Sequence, residues 1–198
     1  MFTFNVKTTL TLMAVLLLSA CSSHQAVNDT SKPVLSNDWR ITGKLALIGP
    51  QQRLAANVTW LHLGTIEVDE LRLVGPLGIS LMSLDSQPGL AQLQLDGEQY
   101  QSHSADDLIL RLSGWPLPLS QLSRYLVGQI SPQDAVTYDA QGQLASVIIT
   151  HPDTGVLSQI RYLGWQDLSG HIVPTQLELQ QGSQLLKLAI NSWVPESL

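Results

Sequence analysis

The chain has 198 residues, a formal net charge of −6 and one cysteine, which together exclude several classes of protein. At about 150 residues per domain, this length corresponds to one domain, or two at most. The ten Lys and Arg residues are scattered singly, which excludes the clustered basic surface that nucleic-acid binding requires. A single cysteine cannot pair within its own chain, so a disulfide scaffold is excluded as well.

The N-terminus has the organisation of a secretory signal. Lys7 precedes an apolar stretch at 10–18, and the small residues Ser19 and Ala20 then lead to Cys21. Such a stretch is too short to span a bilayer and is typical of a signal peptide that is removed.

The four residues that end this segment, Leu18-Ser19-Ala20-Cys21, resemble the bacterial lipobox. The resemblance implies that residues 1–20 are a lipoprotein signal peptide and that Cys21 becomes the acylated first residue. Ser22 follows the cysteine where an aspartate would favour the inner membrane, so we expect a lipid anchor on the periplasmic face of the outer membrane. The alternative is an ordinary signal peptide that happens to end before a cysteine.

The region after Cys21 divides into a tether and one domain. Residues 21–38 are polar, contain Pro33 and show no hydrophobic periodicity, which predicts an acylated tether followed by a domain at 39–198. From Trp39 onward, apolar and polar residues alternate, as in strands with one buried face. Turn-forming residues separate about ten such segments, a pattern typical of a large antiparallel sheet that curls over itself. The alternation changes phase between Val68 and Leu71, which predicts a bulge.

One segment has helical rather than strand periodicity. Ser104 followed by acidic residues predicts a helix N-terminus, and Gly114 predicts its end. A second short helix is expected at 120–127, before Gly128. Short helices of this kind commonly plug an open end of a curled sheet.

Motifs for catalysis are absent from the sequence. It contains no G-x-S-x-G, P-loop or G-x-G-x-x-G motif, and its five histidines are far apart. Asp106-Asp107 could form a carboxylate pair, but its position at a helix start favours a capping role. We therefore expect no enzyme activity, no catalytic residue, no metal site and no cofactor.

The segment between two predicted strands at 74–79 is apolar where turns are usually polar. Leu77 lies at its apex, flanked by Gly75, Pro76 and Gly78. One interpretation is a hairpin tip folded back on the core. The other is an exposed apolar loop, which would meet a membrane or a partner because exposing a leucine costs about 1.5–3 kcal/mol.

The order of these features resembles the LolB family of outer-membrane lipoprotein receptors, over about 39–193. The matching features are the lipobox, the Gly75-Pro76-Leu77-Gly78 loop, Gln87-Pro88-Gly89 before a Leu-Gln-Leu strand, Ser113-Gly114-Trp115-Pro116-Leu117-Pro118-Leu119 after the capped helix, Tyr125-Leu126-Val127-Gly128, and the final Asn191-Ser192-Trp193. The resemblance implies a mainly β fold, an incomplete (half-open) antiparallel β-barrel with an apolar cavity plugged by short α-helices.

The resemblance also implies a function. Such receptors accept triacylated lipoproteins from a soluble periplasmic carrier of similar fold and place them in the outer membrane without nucleotide. The expected partners are therefore the carrier, the lipoprotein cargo and outer-membrane lipid, with the receptor as a monomer. Gly75, Pro76, Leu77 and Gly78 correspond to the membrane-insertion loop.

Seven residues are candidates for lining an acyl-chain cavity, although residues of this kind more often belong to the ordinary core. They are Val58, Trp60, Leu93, Leu95, Leu112, Trp115 and Leu122. Two other functions stay open: a lipid-anchored module that retains a hydrophobic ligand, and a structural lipoprotein of an outer-membrane assembly complex.

Overall fold

The computed structural model describes residues 37–50, 53–151, 153–168 and 171–196. The predicted signal peptide, Cys21 and nearly all of the predicted tether lie outside these ranges. Within them, eleven strands form one antiparallel sheet. The strands are β1 (Asp38–Ile48), β2 (Arg53–Leu63), β3 (Val68–Val74), β4 (Ser80–Gln87), β5 (Leu90–Leu95), β6 (Glu98–Ser102), β7 (Ala135–Tyr138), β8 (Leu144–Thr150), β9 (Leu157–Leu168), β10 (His171–Gln181) and β11 (Gln184–Pro195).

The strand order explains why the sheet stays open. It runs β6-β5-β4-β3-β2-β1-β11-β10-β9-β8-β7, so two meanders meet where β1 pairs with β11 at the centre. β6 and β7 are the two edges and do not pair with each other. This arrangement confirms the expected mainly β fold and incomplete barrel.

Both helices belong to the segment that connects the two edge strands. They are α1 (Ala105–Ser113) and α2 (Leu119–Leu126). α1 packs against β4, β5 and β6, whereas the carbonyl of Tyr125 in α2 accepts a 2.7 Å hydrogen bond from the Tyr162 hydroxyl of β9. Because the connection must run from one edge to the other, it places two helices against the buried face of the sheet.

The ends of α1 follow the predicted chemistry. The Ser104 hydroxyl accepts a hydrogen bond from the Asp107 N–H at 3.2 Å, which satisfies one free donor of the first turn. At the other end, Gly114 adopts φ 67° and its N–H donates to the Leu110 carbonyl at 2.8 Å. α2 begins one residue earlier than predicted.

The prediction of a bulge between Val68 and Leu71 is wrong. β2 and β3 pair without a register shift from Leu63↔Val68 to Asn57↔Val74. The alternation of apolar and polar residues changes phase in the sequence because Asp69 occupies an inward position in place of an apolar residue. Its carboxylate accepts a 2.7 Å hydrogen bond from Trp60 Nε1, and His62 Nδ1 also lies at 2.7 Å.

Three tryptophans form the centre of the core where the two meanders meet. Trp39 of β1 packs edge-on against Trp60 and Trp193, with ring centroids 5.4 Å away in each case. Trp193 Nε1 donates to the Pro174 carbonyl at 2.9 Å. Each side chain is at most 4% exposed, so the first, second and last strands share one packed aromatic cluster.

Candidate functional site

The loop between β3 and β4 is a tight turn that projects from the sheet. Pro76–Gly78 form one 3₁₀ turn, in which the Gly78 N–H donates to the Gly75 carbonyl at 3.3 Å, and a 2.8 Å hydrogen bond from the Gly75 N–H to the Ile79 carbonyl closes the base of the loop. A side chain at Gly75 would lie within 3.1–3.3 Å of the Leu81 side chain. Gly75 therefore lets the base of the loop pack closely.

Leu77 at the apex of this loop is 99% exposed, and Ile79 is 61% exposed. The structure thus excludes the folded-back arrangement. Leu77 also has a left-handed backbone, with φ 63° and ψ 16°, which costs about 1–2 kcal/mol for a residue with a Cβ. The loop combines an unburied apolar side chain with a strained backbone.

The interior candidates separate into two groups. Six of them belong to the core or pack against it: Val58, Trp60, Leu93, Trp115 and Leu122 are at most 6% exposed, and Leu95 is half-buried. Leu112 is 37% exposed, so its expected inward position is wrong. It lies one turn after the buried Leu108, and α1 ends at the next residue, so no further turn covers it. The six inward side chains fill the interior in this structure.

Polar contacts hold the helical segment in place at both ends. Asp106, only 7% exposed, accepts hydrogen bonds from the Ser120 N–H at 3.0 Å and the Ser120 hydroxyl at 2.6 Å. Gln181 Nε2 of β10 donates to the Pro116 carbonyl at 3.1 Å. Asp106 therefore joins α1 to α2. Sequence reasoning assigned it only a capping role, because Ser120 lies far along the chain.

Tyr125 in α2 adds a third connection. Burial, followed by its hydrogen bond to Asp134 at 3.0 Å, raises the pKa of Tyr125 to about 12. The hydroxyl therefore stays protonated at neutral pH and keeps donating to Asp134. Burial also raises the pKa of Tyr162, whose hydroxyl donates to the Tyr125 carbonyl.

A groove of about 640 Å³ lies beside the base of the loop, within the size range of ligand pockets. None of the seven interior candidates lines it. Its lining residues are Lys44, Leu45, Ala46, Ala55, Ala56, Asn57, Val74, Gly75, Pro76, Leu163, Gln176, Leu177, Glu178, Lys187, Leu188 and Ala189. The exposed members Lys44, Asn57 and Gln176 alternate along their strands with buried core residues, so the groove opens on the other face of the sheet.

Glu178, one of the residues that line this groove, is 8% exposed and lies between two cations. Lys187 Nζ lies 2.7 Å from one carboxylate oxygen, and Arg161 bonds the other. The Lys187 ammonium, assisted by Arg161, holds the pKa of Glu178 below its usual value against the opposing effect of burial. The carboxylate therefore stays ionised at neutral pH.

No helix in the described ranges is long and apolar enough to cross a bilayer.

Comparison with known proteins shows which family this sequence matches. The sequence model of the family described as outer membrane lipoprotein LolB matches residues 37–193. The outer-membrane lipoprotein LolB of Shewanella baltica (strain OS155) is 37% identical over 190 residues, covering 92% of this chain and 86% of the relative. That of Shewanella denitrificans is 34% identical over 188 residues, covering 92% and 90%.

Among solved structures, a LolA superfamily protein from Nitrosomonas europaea has a TM-score of 0.53 at 9% identity, covering 84% of this chain and 90% of that chain. At this identity the similarity shows a shared fold alone. The family match, by contrast, spans the domain from before β1 to Trp193 in β11. Together with relatives of 34–37% identity over nearly the whole chain, it shows that the chain belongs to the LolB family of outer membrane lipoproteins.

Proposed function

We propose that this protein is an outer-membrane receptor that accepts triacylated lipoproteins from a periplasmic carrier of similar fold and inserts them into the outer membrane. Membership of the LolB family supports the receptor role. The observation that carries the insertion step is Leu77, which at 99% is the most exposed large apolar residue in the described part of the chain and lies at the tip of a strained loop.

The cargo explains why such a receptor is needed. At about 0.8 kcal/mol per CH₂ group, a sixteen-carbon acyl chain in water is unfavourable by about 13 kcal/mol. A lipoprotein with three chains therefore needs continuous apolar cover while it crosses an aqueous space. Delivery to a bilayer releases only the difference in free energy between the chain bound to the receptor and the chain in the bilayer.

Transfer without nucleotide must run from weaker to stronger binding. The sequence has no nucleotide-binding motif, so each step depends on a difference in affinity between carrier, receptor and bilayer. An apolar side chain that enters the bilayer surface brings the receptor close enough for the last step. The exposure of Leu77, with the exposed Ile79 two residues away, supports this role.

Cargo entry requires the helical segment to move, because core side chains fill the space between it and the sheet. The strand residues Tyr162 and Gln181 hold that segment through hydrogen bonds to its Tyr125 and Pro116 carbonyls. Their exchange for water at the surface costs little net free energy per bond, about 0.5–1.5 kcal/mol. We infer that displacement of α1 and α2 opens the interior to acyl chains.

The test is a transfer reaction with the Leu77→Glu variant. Carrier loaded with a fluorescently labelled triacylated lipoprotein is mixed with the receptor in the absence of nucleotide, and outer-membrane vesicles are then added. The variant should take cargo from the carrier as well as the wild type does, since Leu77 is far from the core. Delivery to the vesicles should fall by about tenfold or more, because a carboxylate cannot enter the apolar layer.

Leu157→Glu is the matched control. Leu157 is another exposed leucine, at 62%, but it lies outside the loop. It should deliver normally. If Leu77→Glu restored normal lipoprotein levels in the outer membrane of depleted cells, the insertion role would be wrong. If the wild type failed to take cargo from the carrier, the receptor function itself would be wrong.

A further inference from the structure

The groove beside the loop has one polar row and one apolar wall. In the register of the sheet, Lys44 pairs with Asn57 on one side and Ala189 on the other, and Ala189 pairs with Gln176. Cross-strand neighbours of this kind lie about 5 Å apart. An ammonium group therefore stands in one row with two side-chain amides, all of which can donate hydrogen bonds to an anion.

Lys44 lines the groove, and no carboxylate in the described part of the chain forms an ion pair with it. Lys187 and Arg161 both bind Glu178, whereas Lys44 makes no ion pair with any residue in the described part of the chain. A lysine ammonium is a compact charge that suits a phosphate group.

The remainder of the groove is apolar. Its lining includes the small side chains of Ala46, Ala55 and Ala189 and the larger apolar side chains of Val74, Pro76 and Leu163. Alanines on the exposed face of a sheet leave room that larger side chains would fill. Leu163 is itself 54% exposed. This part of the groove suits a hydrocarbon chain rather than a second polar group.

The groove also has a defined position relative to the membrane. Val74, Gly75 and Pro76 are among the residues that line it, and Leu77 at the tip of the loop is the next residue. If Leu77 enters the bilayer surface, the groove lies close to the phosphate layer of the same leaflet. The net charge of −6 repels an anionic surface, so a local cation is needed to hold phosphate there.

We propose that this groove binds one phosphate-bearing lipid of the outer membrane, with the phosphate at Lys44, Asn57 and Gln176 and the start of an acyl chain over Ala46, Ala55 and Ala189. The proposal rests on the proposed insertion function, since that function brings the groove to the membrane. The bound lipid would orient the receptor with its loop inserted.

Photolabelling of the acylated protein tests this site. The protein is reconstituted in vesicles of digalactosyldiacylglycerol, which contain no phosphate, with a trace of photoreactive phosphatidylglycerol. A parallel sample contains photoreactive diacylglycerol with the same acyl chains. Mass spectrometry should find the phosphatidylglycerol label on peptides that contain residues 44–46 and 187–189, and much less label from diacylglycerol.

Two variants and one control make the result specific. Lys44→Glu should reduce the groove label by about fivefold or more, as expected for the loss of one charge-assisted hydrogen bond. Ala46→Trp, which fills the groove and keeps the lysine, should reduce it similarly. Arg53→Glu makes the same charge change on the same sheet face outside the groove, and should leave labelling unchanged. Thermal unfolding of each variant shows that it is folded.

Three outcomes would overturn the proposal: equal labelling of wild type and Lys44→Glu, equal labelling by both probes, or displacement of the probe by inorganic phosphate as readily as by unlabelled phosphatidylglycerol. The last would leave an anion site without lipid recognition. Lipoprotein delivery is measured on the same samples. Loss of groove labelling with intact delivery refutes the groove alone, and labelling without delivery refutes the receptor function alone.

Discussion

Two leucines of one hairpin show how differently this molecule treats the same side chain. Leu84 in β4 pairs with Leu71 and Leu93 on neighbouring strands and is fully buried. Leu77, in the loop that opens the same hairpin, is 99% exposed on a left-handed backbone. Burying a leucine stabilises the fold by about 1.5–3 kcal/mol. Leu84 makes this contribution to the free energy of folding, and Leu77 does not. Folding explains the first leucine, whereas the second has a purpose only under the proposed contact with a membrane.

The core side of this comparison is tested most strongly by Trp60→Ala. Trp60 packs against Trp39 and donates to Asp69 at 2.7 Å, so its removal leaves a cavity and a buried carboxylate with one partner fewer. The free energy of unfolding should fall by about 3–5 kcal/mol in urea titrations. Trp165→Ala, which removes a half-buried ring stacked on Tyr162, should cost less. Equal losses would show that the three-tryptophan cluster is not the centre of the core.

The attachment of the helical segment is tested by Asp106→Ala. Because Asp106 accepts two hydrogen bonds from Ser120 in a buried position, the substitution should lower stability by about 2 kcal/mol. The Ser120→Ala variant and the double variant complete a double-mutant cycle. The double variant should lose less than the sum of the two single losses, and simple additivity would contradict a direct link between α1 and α2.

Acidification should weaken the ion pairs around Glu178. Since its folded-state pKa lies below the ordinary value of 4.5, the stabilisation is complete above about pH 4.5 and is lost as the pH falls through the lower folded-state value. Glu178→Gln should cost about 1–2 kcal/mol at pH 7 and reduce the loss of stability on acidification. Identical pH profiles for variant and wild type, measured by denaturant titration, would contradict this role.

The loop side of the comparison yields the smallest change in stability. Leu77→Gly should raise the free energy of unfolding by about 1 kcal/mol, because glycine adopts positive φ without strain, while delivery to vesicles falls. Gly78→Ala is the reverse control, since Gly78 has φ 79° and should lose about 1 kcal/mol. A lower melting temperature for Leu77→Gly would mean that the leucine contributes to folding after all.

Local sequence rules were sufficient for the elements themselves. Alternation identified strands with one buried face, because side chains of a strand point to opposite sides in turn. Ser104 and Gly114 marked the ends of α1, because capping depends on residues within one turn. The apolar 74–79 segment was recognised as unusual, although its exposure required the structure.

The same rules failed where the outcome depended on distant residues. Asp69 lies inside because Trp60 and His62 on the neighbouring strand bind it, and the sequence pattern alone suggested a bulge. Leu112 has the spacing of a buried residue, but it lies where α1 ends. Alternation also could not distinguish residues that line a cavity from residues that fill one.

The sequence by itself indicated the class of the protein: it predicted a lipoprotein signal, a β meander with one helical segment and an apolar loop, in an order that resembles the LolB family. Only the tertiary structure decided that β1 and β11 meet at the centre, that Leu77 projects from the sheet, and that Lys44 shares a groove with Gln176 and Pro76. The physical reason is the distance along the chain over which each effect acts. Capping and alternation act between residues a few positions apart, whereas strand order and burial depend on which distant segments pair.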